Sequence, residues 1–145
     1  MNEELVNALK VVLADHYAVY FKAQGYHWNV EGADFSEYHG LFSSIYEDAI
    51  GAVDMIAEDI RKCQAYAPFK MSRFAELATV QETEVASDCH SMSADLLVAV
   101  EAAIASNAIA YVIANNMNAS GVANDLAGRD GCLQKWAWQL RSSLK

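Results

Sequence analysis

Apolar residues at Leu5, Leu9, Val12, Leu13, Tyr17, Tyr20 and Phe21 recur at the three- and four-residue steps of one helical face, predicting a first helix from about Glu3 to Asn29. Glu31, Gly32 and Ala33 follow as a short turn. A second helix is expected to open at Asp34, whose carboxylate can cap it while Glu37 reaches back in a capping box. It should end near Cys63, where Arg61 and Lys62 complement the helix dipole. Along it Phe35, Tyr38, Phe42, Ile45, Ala49, Ala52 and Ile56 form one apolar stripe, expected to be the core face. Residues 64–86 read as a crossover with Pro68 as a breaker and a short helix over about 72–78. Two more long helices are expected over about 87–116 and 120–144. Four long helices with one long crossover predict an all-α bundle of non-sequential topology.

Composition narrows this picture. With 145 residues, 54% of them hydrophobic, the chain suffices for one compact domain over 1–145 and not for two. One proline and seven glycines leave little turn punctuation, as an all-α fold requires. The net charge of −9 repels polyphosphate, which disfavours nucleic-acid binding. Cys63, Cys89 and Cys132 are odd in number and form no C-x-x-C pair, so neither a disulfide framework nor a zinc knuckle is expected, and a reducing cytoplasm suits them. The N-terminal Met-Asn-Glu-Glu has none of the character of a secretory signal. The apolar run over 96–114 matches a membrane span in length, but Glu101, Ser106 and Asn107 interrupt it; a buried bundle helix is expected, with no membrane partner.

The chemistry lies on the first two helices. His27 and His39 stand six residues either side of Ala33, so an antiparallel hairpin turning there brings them to one height. By itself such a pair serves equally well as capping or packing residues. Asp54 and Glu58, one turn apart, can share an ion, although an i,i+4 acidic pair is more often a solvated stripe. At 100° per residue these carboxylates fall in the same sector of the second helix as His39, away from the apolar stripe. Fifteen residues at about 1.5 Å each separate His39 from Asp54 by roughly 22 Å, so one chain cannot close the site. Two chains whose second helices cross antiparallel near Glu47–Gly51 can, with Gly51 permitting close approach and Ile50 as an apolar plug. Two imidazoles and two carboxylates suit Fe(II), Mn(II) or Zn(II). The intrachain Glu-x-x-His signature of larger di-iron bundles is absent.

The stretch Gly25-Tyr-His-Trp-Asn-Val-Glu-Gly32, then Phe35, His39 and Asp54-Met-Ile-Ala-Glu58, resembles the signature of the Dps family, the mini-ferritins named as DNA-binding proteins from starved cells. Trp136-Ala-Trp-Gln-Leu140 resembles its C-terminal helix. The resemblance implies a ferritin-like four-helix bundle and a hollow shell, a dodecamer built from twofold dimers. It further implies iron sites in which His27 and His39 of one subunit and Asp54 and Glu58 of its partner bind Fe(II). Hydrogen peroxide or dioxygen would oxidise the iron, and the cavity would store it as ferric mineral. Zn(II) is expected only as a non-redox occupant. Trp28 falls where the family keeps a tryptophan beside iron; Glu47 and Asp48 are candidates for moving or nucleating iron; Asp125 and Asp130 resemble acids lining iron-entry pores. Where the family commonly has an aspartate four residues after the second histidine, this chain has Ser43, a poor iron ligand. The family's Lys- or Arg-rich terminal extension has no counterpart here, so DNA binding is expected to be weak or absent. A non-catalytic metal-sequestering shell and a DNA-compacting shell are the alternatives. His16, the Cys89–His90 pair and Tyr26, Tyr38, Tyr46 and Tyr111 are read as packing or exposed residues with no assigned role.

Overall fold

The computed structural model describes residues 2–145, among which five helices form: α1 (Glu3–Asn29), α2 (Phe35–Lys62), α3 (Met71–Leu77), α4 (Cys89–Asn116) and α5 (Ser120–Ser143). The expected spans agree to within about two residues, as periodic apolar stripes and few breakers should allow. The capping box is a correction. Asp34 does occupy the N-cap of α2, but its side chain makes no capping hydrogen bond, because its backbone (φ −100°, ψ 23°) is not in the extended conformation that aims a cap side chain at the first turn. Asn2 and Asp88 cap α1 and α4 instead, accepting from the amides of Leu5 at 3.0 Å and Ser91 at 2.7 Å.

The long helices bury two apolar layers. Val19, Ala23, Phe42, Ile45, Leu96, Val100, Leu133 and Leu140 meet at one end of the bundle; Leu5, Leu9, Leu13, Ile56, Ile60, Ala110, Ala114 and Leu126 meet at the other. The chain therefore runs from the second layer to the first along α1 and α5, and back along α2 and α4. Parallel α2 and α4 need the long crossover, which gives the non-sequential topology expected.

Polar side chains lie between the two layers. Arg129 donates from Nε to His16 Nε2 at 3.1 Å and clamps Asp48 through both terminal nitrogens at 3.0 and 2.7 Å, while Trp136 Nε1 donates to the same carboxylate at 2.9 Å. Asn107, also buried, donates from Nδ2 to the carbonyl of Leu126 at 2.8 Å. This waist ties α1, α2, α4 and α5 at one level.

The crossover is anchored by buried Asp15, which accepts from Thr79 N at 2.6 Å, Thr79 Oγ1 at 2.7 Å and Val80 N at 3.1 Å. Asp95 accepts from Lys22 at 2.7 Å, from Thr83 at 2.8 Å and from the Tyr26 hydroxyl. Burial, reinforced by the adjacent carboxylate, pushes the Tyr26 phenol above its ordinary pKa. Helix α4 is long and apolar enough to cross a membrane by length and composition, but Leu96, Val100, Ala103 and Ala110 on it are core residues of the bundle. The three cysteines are free.

Candidate metal centre

The α1–α2 hairpin turns through residues 30–34, where Gly32 takes φ +126°, a conformation that L side chains rarely adopt. This tight reversal brings His27, in the last turn of α1, against His39, in the second turn of α2. Their rings stack with centroids 3.7 Å apart and planes inclined by 14°. His27 Nδ1 donates to the His39 carbonyl at 2.6 Å, and His39 Nδ1 donates to the His27 carbonyl at 2.7 Å. A carbonyl oxygen only accepts, so both Nδ1 atoms carry protons, and in the neutral rings both Nε2 lone pairs point away from these bonds and can serve an electron-pair acceptor. A hydrogen bond from the other ring nitrogen commonly fixes the tautomer and orientation of metal-ligating histidines in this way.

Two aromatic rings hold the pair. Phe35 stacks on His39 at 4.8 Å and 23°, and Tyr46 meets His27 edge-on at 5.3 Å and 63°. Phe35 was expected in the core stripe of α2; instead it is exposed, its ring lying against the imidazole at the hairpin end. Neither positioning role was legible in the sequence, because a helical stripe does not tell a core aromatic from one that flanks a ligand.

Asp54 and Glu58 are both exposed on α2. Among the described residues no three His, Cys, Asp or Glu side chains converge as a metal site within the chain. The rise of α2 puts Asp54 about 22 Å and Glu58 about 28 Å beyond His39, too far for the two pairs to share an ion within one chain. Between them Gly51 is exposed, and a Cβ there would meet nothing within 4 Å of its own chain.

The other candidates divide. Asp48 does not offer a free carboxylate for iron: its oxygens are engaged by Arg129 and Trp136. Burial opposes its ionisation, but those hydrogen bonds outweigh burial and hold the carboxyl below its ordinary range. The sequence signal for that clamp was Arg129 itself, a lone arginine in the buried series Val122, Leu126, Leu133, Trp136 and Leu140. Glu47 is exposed, and Ser43 is half-buried one turn beyond His39. Trp28 is 66% exposed. His16 is buried packing, as expected; burial and Arg129 lower its pKa to about 4.

Asp125 and Asp130 lie half-buried on α5 and do not join the histidines. Asp125 lies beside Asp59, a buried carboxyl that sequence reasoning did not single out. Asp59 Oδ1 accepts from Lys62 at 3.2 Å. Its other oxygen is buried without a hydrogen-bond partner, and the neighbouring Asp125 carboxyl disfavours its ionisation. Burial, opposed by Lys62 and reinforced by Asp125, pushes Asp59 up to about 6.

Residues 6–122 match the family described as Ferritin-like domain. The chain is a ferritin-like protein of the Dps family. It is 26% identical over 144 residues to DNA protection during starvation protein 2 of Bacillus anthracis, an alignment covering 99% of both chains. The crystal structure of the Dps protein of Vibrio cholerae O1, described as a member of a broad superfamily of ferritin-like diiron-carboxylate proteins, superposes with a TM-score of 0.93 at 26% identity, covering 99% of this chain and 90% of that one. Dps from Staphylococcus aureus, at 23% identity, shares the fold with a TM-score of 0.94, covering 99% of this chain and 97% of that one.

Proposed function

We propose that this Dps-family protein is a mini-ferritin whose half-sites join across a twofold interface to bind Fe(II) as substrate, oxidise it with hydrogen peroxide and store the product as ferric mineral inside a shell of twelve subunits in a bacterial cytoplasm. The observation that carries the reading is the pair of stacked imidazoles, each held by the other's backbone with a free Nε2, on the same helix as a distant exposed carboxylate pair. A second copy with α2 antiparallel supplies Asp54 and Glu58 to His27 and His39, and the reverse, so each dimer holds two sites.

In that arrangement the Nε2 lone pairs and two carboxylates form a mixed N/O set suited to Fe(II). The negative carboxylates stabilise the higher charge of the ferric product more than that of the ferrous substrate, which favours oxidation. Two electrons delivered to peroxide yield water rather than hydroxyl radical. Zn(II) is a non-redox occupant of the same donors. The net charge of −9 supports weak or absent DNA binding at physiological salt; a gel shift of duplex DNA that survives physiological salt would overturn that part.

Anaerobic Fe(II) loading followed by peroxide tests the reading, with ferric absorbance recorded for the native chain and for Asp54→Ala. Rapid oxidation that the substitution abolishes, with iron eluting in a large assembly, is expected. The sharing of the site has its own test. Co-expressing His27→Ala/His39→Ala chains with Asp54→Ala/Glu58→Ala chains in equal amounts places one intact site in each mixed dimer. Half the dimers are mixed at random pairing, so about a quarter of native activity should return where either variant alone has none. A site contained within one chain gives no recovery. A sequestering shell without turnover is the competing reading, favoured by Ser43 standing where a carboxylate would help hold a second ion; Fe(II) retention without ferric absorbance would select it.

A further inference from the structure

A set of two imidazoles and two carboxylates is the donor complement of one firmly held ion, and the residue one turn beyond His39 is Ser43, which adds no carboxylate. One Fe(II) supplies one electron, which breaks the peroxide O–O bond only with release of hydroxyl radical; reduction of peroxide to water and hydroxide alone takes two. Among the described residues the aromatic rings packed on the two imidazoles are Phe35 and Tyr46, and only the phenol gives up an electron readily. Trp28, 66% exposed, makes no ring contact with either histidine of its own chain.

Resting on the ferroxidase reading, we infer that Tyr46, edge-on to His27, supplies the second electron when the site holds a single iron. Fe(II) gives one electron and Tyr46 gives one electron with its phenolic proton. The O–O bond breaks, leaving Fe(III), a tyrosyl radical, one water and one hydroxide. Tyr20, with its ring 5.9 Å from that of Tyr46, can share the radical. Beyond Tyr20 comes Phe21 at 5.4 Å, which a tyrosyl radical does not oxidise. The hydroxyl of Tyr46 accordingly has a redox role beyond packing.

The test is anaerobic loading with one Fe(II) per site, addition of one peroxide per iron, and freeze-quench electron paramagnetic resonance alongside ferric absorbance. Expected are a tyrosyl radical, whose signal narrows when the protein carries ring-deuterated tyrosine, and one ferric ion per peroxide consumed. Tyr46→Phe should remove most of the radical and shift consumption to two ferric ions per peroxide, while Tyr111→Phe, remote on α4, leaves both unchanged. The tyrosine-labelling arm stands even if Tyr46→Phe fails to fold. Ferric iron formed at two per peroxide without a radical, a signal insensitive to tyrosine deuteration, or one lost in Trp28→Phe and retained in Tyr46→Phe overturns the inference and leaves the ferroxidase reading intact. If native protein forms no ferric iron, the ferroxidase reading falls and takes this inference with it.

Discussion

Replacing Asp48 with alanine tests the polar waist most directly. The Arg129 side chain is only 7% exposed and its guanidinium is neutralised by this one carboxylate, so Asp48→Ala leaves a buried cation without a counter-charge and the Trp136 indole N–H without its acceptor. Breaking a buried pair from one side costs about 3–5 kcal/mol. The Asp48 side chain keeps 22% exposure, so water partly solvates the abandoned arginine and the lower end, about 3 kcal/mol, is expected. A chain of this size has on the order of 7–20 kcal/mol to lose, so the variant should still fold. Urea unfolding followed by far-UV circular dichroism, at one fixed protein concentration because assembly adds apparent stability, reads the difference. Asp48→Leu combined with Arg129→Met should recover much of the loss, since apolar groups of similar size often replace a buried ion pair at little cost. A loss below about 1 kcal/mol for Asp48→Ala would refute the argument, showing the clamp to be hydrated and dispensable. Iron binding per folded subunit should be unchanged in Asp48→Ala, because its carboxylate is already committed to Arg129 and Trp136.

Four further outcomes are expected. His16 has its pKa lowered from 6.5 to about 4, so between those values the unfolded chain binds a proton that the folded chain refuses; its contribution, up to about 3 kcal/mol, is full above pH 6.5 and lost as pH falls toward 4. Asp59, raised from 3.8 to about 6, has the opposite sign and loses its contribution as pH rises through 6; Asp59→Asn should therefore give a stability that climbs more steeply from pH 4 to 6 than native protein, and an unchanged slope would refute the raised Asp59 pKa. Asp15→Ala removes the acceptor for the Thr79 and Val80 amides and should cost about 2–4 kcal/mol; faster hydrogen exchange confined to the crossover is the expected signature, and native-like protection there would refute the anchoring role. Gly32→Ala meets no steric obstacle within 4 Å, so its cost is the backbone strain of φ +126° alone, about 1–2 kcal/mol, read as a lower thermal midpoint.

The helices were legible because their apolar residues recur at one period over long stretches with few interruptions. The level pairing of His27 and His39 followed from counting outward from the turn, since equal distances from a hairpin tip give equal heights on antiparallel helices. The partners of charged residues were not legible in the same way. Asp48 and Glu47 read alike as acids on one helix, yet Asp48 is clamped by Arg129, 81 residues away, while Glu47 is exposed. Asp59 gave no signal because its neighbour Asp125 lies on α5, and pairing between helices has no local pattern.

The division of the proposed site follows from the same regularity that made the fold readable. A straight α-helix cannot bring residues fifteen apart to one ion, whatever their chemistry. In the proposed site, with imidazoles at one end of α2 and carboxylates toward the other, metal binding would depend on a second antiparallel copy, and twofold symmetry would complete two sites with every dimer formed. On this arrangement assembly precedes iron oxidation: an isolated subunit holds neither a full ligand set nor a means of turning over its substrate outside the shell that stores the product.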